Sequence, residues 1–140
     1  MDSHNHQEFL GVDVGSARVG IARGSTAARL AEPIKTVPAA QALAELKKLI
    51  VQNTAAGLVV GLPRSLDGTE TAQTAAVRDW AKAAKAELQL PFYWQDEALT
   101  SVSAQAHPLA GNEAKDLDAE AAAIILQDFL DTTESDRVAI

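Results

Sequence analysis

Residues Phe9 to Ala22 read FLGVDVGSARVGIA, and a single carboxylate, Asp13, interrupts an otherwise apolar run. The run has strand character, and side chains along a strand alternate between faces. Leu10, Val12 and Val14 therefore share one face, and Gly11, Asp13 and Gly15 share the other. Asp13 stands between two residues without side chains, which leaves open space beside its carboxylate near the strand end. An unpaired charge in such a place is costly, so something must compensate it. Two compensators fit the local sequence: the turn amides of Ser16 and Ala17, or a cation in the open space.

Outward from this stretch, strand and helix patterns alternate. Residues 9–15 and 18–23 form a hairpin across the Gly-Ser-Ala turn. Pro33 to Val37 is a short third strand, and residues 39–53 are helical with Leu43, Leu46, Leu49 and Ile50 on one face. Leu58 to Leu62 is a continuous apolar run, the mark of a strand buried on both sides of a parallel sheet. A loop with an Asp67-Gly68 turn leads to a helix over 70–89, then to a fifth strand, Phe92 to Asp96. Thr100 can cap a short helix ending near His107-Pro108. Gly111 to Lys115 is a loop, and the last helix runs from about Asp116 to Asp131 with Ala122, Ile125, Leu126 and Phe129 inward. A hairpin followed by strand–helix–strand units predicts an α/β fold: a five-stranded mixed sheet flanked by helices on both faces. The predicted domain is 9–131, between a disordered tail at 1–8 and a flexible one at 132–140.

The 140 residues suit one domain. Hydrophobic residues make up 47% and aromatic ones 4%, so the core is mostly aliphatic. The absence of cysteine excludes disulfides and zinc–thiolate sites. No apolar run is long enough for a membrane span, the first residues do not form a signal peptide, and a cytoplasmic protein is expected. The net charge of −7 disfavours extended binding of a phosphate backbone. A site that gathers acids around metal lowers net charge without repelling substrate once metal is bound.

Two further groups of carboxylates join Asp13. In Phe92-Tyr93-Trp94-Gln95-Asp96-Glu97, alternation places Glu97 with Tyr93 and Gln95, the more polar face, which favours it over Asp96. Either acid could instead cap the following loop. Asp116 and Asp118 could each cap the last helix or favour its dipole. Asp118, however, continues the stripe of Ala122 and Ile125, and the alanines after it allow that helix to lie close on the sheet. Three carboxylates ~5 Å apart repel by about 3 kcal/mol per pair at an effective dielectric of ~20. Hard divalent cations with oxygen ligands relieve this, and a pair of them is a device for phosphodiester cleavage.

Four motifs occur in order over residues 9–130. They are Gly11-x-Asp13-x-Gly15-x-x-Arg18-x-Gly20-x-Ala22; Val60-Gly61-Leu62-Pro63 with Leu66-Asp67-Gly68-Thr69; Asp96-Glu97-x-Leu99-Thr100; and Lys115-x-x-Asp118-x-x-Ala121-Ala122-x-x-Ile125-Leu126. Together they resemble the YqgF (RuvX) family of RNase H-like nucleases, described as Holliday junction resolvases and as pre-16S rRNA nucleases. The resemblance implies an RNase H-like fold, a metal-dependent nuclease using Mg²⁺ or Mn²⁺, and Asp13, Glu97 and Asp118 as the catalytic, metal-holding trio. The family usually has Arg after Asp-Glu, where this chain has Ala98, and the segment Gln105 to Asp118 is shorter than usual.

Arg18 and Arg64 are the expected phosphate contacts, with Thr100 as a further substrate contact or a helix cap. By resemblance the expected task is processing of the 16S rRNA precursor, acting on rRNA or on ribosomal particles. Resolution of branched DNA is the alternative within the class, and would favour a dimer; a monomer or weak homodimer is expected. A non-cleaving RNA- or ribosome-binding factor is the second class. A nucleotide-phosphate kinase, suggested by Asp-x-Gly on a hairpin, needs a second domain that 140 residues do not hold.

Overall fold

The computed structural model describes residues 6–97 and 116–140. The short helix and loop expected between residues 100 and 115, with Thr100 and Ala98, lie outside them. The sheet has the strand order β3-β2-β1-β4-β5-β6. β1 (Glu8–Val14), β2 (Arg18–Ser25) and β3 (Leu30–Pro38) form an antiparallel meander. β4 (Ala55–Leu62) and β5 (Phe92–Asp96) add in parallel on the other side of β1. α1 (Ala42–Asn53) and α2 (Ala72–Leu88) connect them, and α3 (Leu117–Leu130) follows.

The sheet has six strands, not five. β6 (Val138–Ala139) pairs antiparallel with β5 inside the segment expected to be a flexible tail. Two residues are too short to show any periodicity in sequence. Contacts specific to this fold hold them there. Arg137 lies over the rings of Phe129 (4.6 Å) and Phe9 (5.4 Å), and the Ile140 amide donates to the Phe92 carbonyl at 2.9 Å. At the other end, β1 begins at Glu8, and Gln7 exchanges hydrogen bonds with Thr26. β3 extends beyond the expected Pro33–Val37 at both ends. The register shifts opposite Ile21/Ala22, so that Lys35 pairs with Ile21 and Pro33 with Ala22. A bulge on an edge strand is where proline, lacking an N–H, is tolerated.

Two apolar layers sandwich the sheet. Leu10, Val12, Val14, Leu58 and Val60 pack against Leu46 and Leu49 of α1 and Val77, Ala81 and Ala84 of α2. Phe9 and Val59 pack on the opposite face against Ala122, Ile125, Leu126 and Phe129 of α3. The alternation read in β1 is thus the observed one. α3 lies unusually close to the sheet because both surfaces are small. A Cβ on Gly11 would fall 2.8 Å from Leu126 Cβ and 3.1 Å from the Ala122 carbonyl. The Gln127 side chain clamps the same helix to β3, accepting from the Ala31 amide at 2.9 Å and donating to the Arg29 carbonyl at 3.0 Å. Among the described residues no helix is long and apolar enough to cross a membrane.

Candidate active site

Asp13 is the penultimate residue of β1, on the face covered by α3. Glu97 follows the last residue of β5, and its amide donates to the Leu62 carbonyl at 3.2 Å, continuing the parallel pairing with β4. The same alternation places Tyr93 in the α3-side layer and Phe92 and Trp94 in the other. Glu97 is therefore turned toward Asp13, and is 7% exposed, whereas Asp96 is exposed. The acid favoured by the polar-face argument is the buried one of the two.

The Asp13 and Glu97 side chains are hydrogen-bonded to each other. Glycine makes this possible: Gly61, on β4 between their strands, has Glu97 Oε1 only 3.1 Å from where its Cβ would stand. Burial pushes Glu97 up to about 8, and the Asp13 charge and the shared hydrogen bond add to the rise. Burial also raises Asp13, to about 6; its bond to Glu97 opposes the rise and the charge of Asp118 adds to it. Burial thus favours one proton shared by the two carboxyl groups at neutral pH. The group that Asp13 meets in the structure is the Glu97 carboxyl, which was neither of the compensators read from the sequence.

Asp118 is in the first turn of α3. Its main chain is wedged against β2: a Cβ on Gly20 would sit 1.9 Å from the Asp118 carbonyl oxygen. Gly20 is the direct cross-strand partner of Asp13, so this contact brings the start of α3 beside the acid pair. Asp116, at the helix N-cap, makes no side-chain capping bond. The Asp118 carboxylate accepts from Arg18 Nε at 2.7 Å. That ion pair spans 100 positions in sequence and was invisible there.

Arg18 opens β2 directly after the hairpin turn, and its side chain is 66% exposed. Arg64 follows β4; its Nε is buried without a hydrogen-bond partner, and its charge acts on Glu70. The loop after it is tied together by its own hydrogen bonds. Asp67 accepts from the Ser65 hydroxyl at 2.5 Å and the Thr69 amide at 3.0 Å, contacts that hold its carboxyl down at about 2. The Thr74 hydroxyl donates to the Pro63 carbonyl and belongs to the capping box that starts α2.

The donor set is chemically suited to a hard cation. Two buried carboxyl groups share one site, where burial favours one proton between them, and a third carboxylate is near enough for its charge to act on Asp13. Among the described residues, no three acidic or imidazole side chains are already gathered as a metal cage. Asp118 instead faces Arg18.

A mixed sheet in this order, with helices on both faces and acids at the strand ends, defines an RNase H-like protein. The fold matches that of Thermus thermophilus RuvC with a TM-score of 0.58 at 13% identity, covering 96% of this chain and 100% of that one. T. thermophilus RuvC in complex with a Holliday junction substrate gives the same TM-score. The chain belongs to the RuvX family, whose model, described as Holliday junction resolvase, matches residues 7–132. Its relatives include a proposed pre-16S rRNA nuclease of Chloroflexus aggregans, 39% identical over 91% of this chain and 95% of that protein. One of the same name from Paraburkholderia xenovorans is 37% identical over 91% and 90%. Membership of this family implies nuclease activity.

Proposed function

We propose that the protein is a metal-dependent nuclease that processes the 16S rRNA precursor, with Asp13, Glu97 and Asp118 as its catalytic acids. The observation that carries this reading is the buried Asp13–Glu97 carboxyl pair, on which a single shared proton still leaves a negative charge that a cation would compensate. The relatives' shared name supports the substrate.

The three acids would hold Mg²⁺ or Mn²⁺, in all two ions. Bound cations there supply an acidified water nucleophile and charge stabilisation for the leaving oxygen. The chain's own contribution is placement. β1 fixes Asp13 in the sheet, the Glu97–Leu62 bond fixes the backbone of Glu97, and the Gly20 contact fixes that of Asp118. To bind cations, the Asp13–Glu97 pair gives up its proton and Asp118 turns from Arg18. Arg18, paired with Asp118, and Arg64, two residues past the end of β4, would contact substrate phosphates. Thr100 is proposed as a further substrate contact. The partner is nucleic acid, free or within a ribosomal particle, bound by a monomer or weak homodimer in the cytoplasm.

The test compares precursor rRNA, single strands and four-way DNA junctions as substrates with Mg²⁺ and with Mn²⁺. Preferential cleavage of the precursor is expected. Preference for the junction would move the function to branched DNA, as the family description has it. Binding of precursor without cleavage under either metal would make the protein a non-cleaving RNA-binding factor.

A further inference from the structure

We infer that Arg18 is a positioning residue that holds the Asp118 carboxylate in reserve and yields it to an incoming divalent cation. This rests on the metal-dependent reading above and adds to it an internal competitor for the site.

The geometry separates what is fixed in Asp118 from what can move. Its main chain is locked, since the carbonyl oxygen fills the space where a Gly20 Cβ would stand. Its carboxylate is 28% exposed and bonds Arg18 Nε at 2.7 Å. Gly20, the cross-strand partner of Asp13, is the residue the Asp118 main chain rests on, so the Asp118 carboxylate starts beside Asp13 and is held by Arg18. A cation held by Asp118 together with Asp13 must displace the Arg18 guanidinium. That displacement is easy. Arg18 is two-thirds exposed, and an exposed ion pair stabilises by little. It also has direction: once a divalent charge sits beside Asp118, the guanidinium is repelled from it. The freed group remains at the first residue of β2, two positions from Gly20, at the mouth of the site. An anionic phosphate arriving there meets an arginine that the cation has just released. Metal and phosphate binding are thereby linked in the same direction.

The experiment measures Mn²⁺ affinity by calorimetry, without substrate, in wild type, Arg18→Met, Asp118→Asn, the double variant of these two, and Asp13→Asn. Circular dichroism melts check that each is folded. Removing Arg18 should tighten Mn²⁺ binding by about two- to fivefold when Asp118 is present, in line with the strength of an exposed ion pair. In the Asp118→Asn background the same change should have little effect, because the contact to be broken is already gone. Equal tightening in both backgrounds would mean only that a nearby charge was removed, and that result, or no tightening at all, overturns the exchange while leaving the metal reading intact. Wild-type protein that binds no Mn²⁺, or binds it equally in Asp13→Asn, overturns both.

Discussion

Glu97→Gln changes one atom of the acid pair and should make the metal-free protein more stable at high pH. The amide can still donate to the Asp13 carboxylate, so the hydrogen bond survives while the titration is removed. In wild type, Glu97 is raised from 4.5 to about 8, so between these values the folded state binds a proton that the unfolded state has lost. Stability from this group is therefore complete below about pH 4.5 and falls as pH rises toward 8. Each pH unit in the window costs up to ~1.4 kcal/mol. From pH 6 to 8, with half-titration reached at the upper end, the loss is about 2 kcal/mol. For a domain of this size that is roughly 6 °C in melting temperature. The assay is thermal unfolding of both proteins in EDTA at pH 6 and pH 8. The fall between the two pH values should be about 6 °C larger in wild type than in Glu97→Gln. Comparing the two proteins cancels the titrating groups that do not interact with Glu97, and Asp13, at about 6, titrates around the lower end of the window. Equal falls would refute the account, because Glu97 would then titrate in the folded state as it does in the unfolded one.

Three further outcomes follow from the same structure. Mg²⁺ should raise the wild-type melting temperature more at pH 8 than at pH 6, because at pH 6 the cation competes with the proton held between Asp13 and Glu97; equal shifts would contradict this. Gly20→Ala would drive a methyl into the Asp118 main chain, where no flexible side chain can give way, and should destabilise by about 2–4 kcal/mol by chemical denaturation and lower cleavage more than tenfold. Arg137→Ala removes the cation over Phe9 and Phe129 and should cost about 1 kcal/mol while leaving cleavage unchanged.

The parts of this fold that repeat in sequence were legible there. Alternation in β1 sorted Leu10, Val12 and Val14 from Asp13, and helical spacing in α3 identified Ala122, Ile125, Leu126 and Phe129, all buried. The same alternation past β5 preferred Glu97 to Asp96, and Glu97 is the buried one of the two. β6 was missed because Val138–Ala139 owes its place to stacking of Arg137 and to pairing with β5, neither of which leaves a local pattern. The extra length of β3 was hidden by Pro33, which reads as a strand boundary until a bulge accommodates it. In the site, the roles of Gly20 and Gly61 were not legible in detail. A glycine that makes room for a helix turn or a carboxylate looks, in sequence, like any glycine in a strand. Arg18 was read as a free phosphate contact, and its pairing with Asp118 depends on where α3 lands.

The most direct test of the central claim is cleavage of precursor 16S rRNA by wild type and Asp13→Asn, side by side with Mg²⁺ or Mn²⁺, with melting curves for both. The account predicts that Asp13→Asn remains folded and loses about a hundred- to a thousandfold in rate, as expected when a group that stabilises charge in the transition state is removed. A folded Asp13→Asn that cuts as fast as wild type would contradict it.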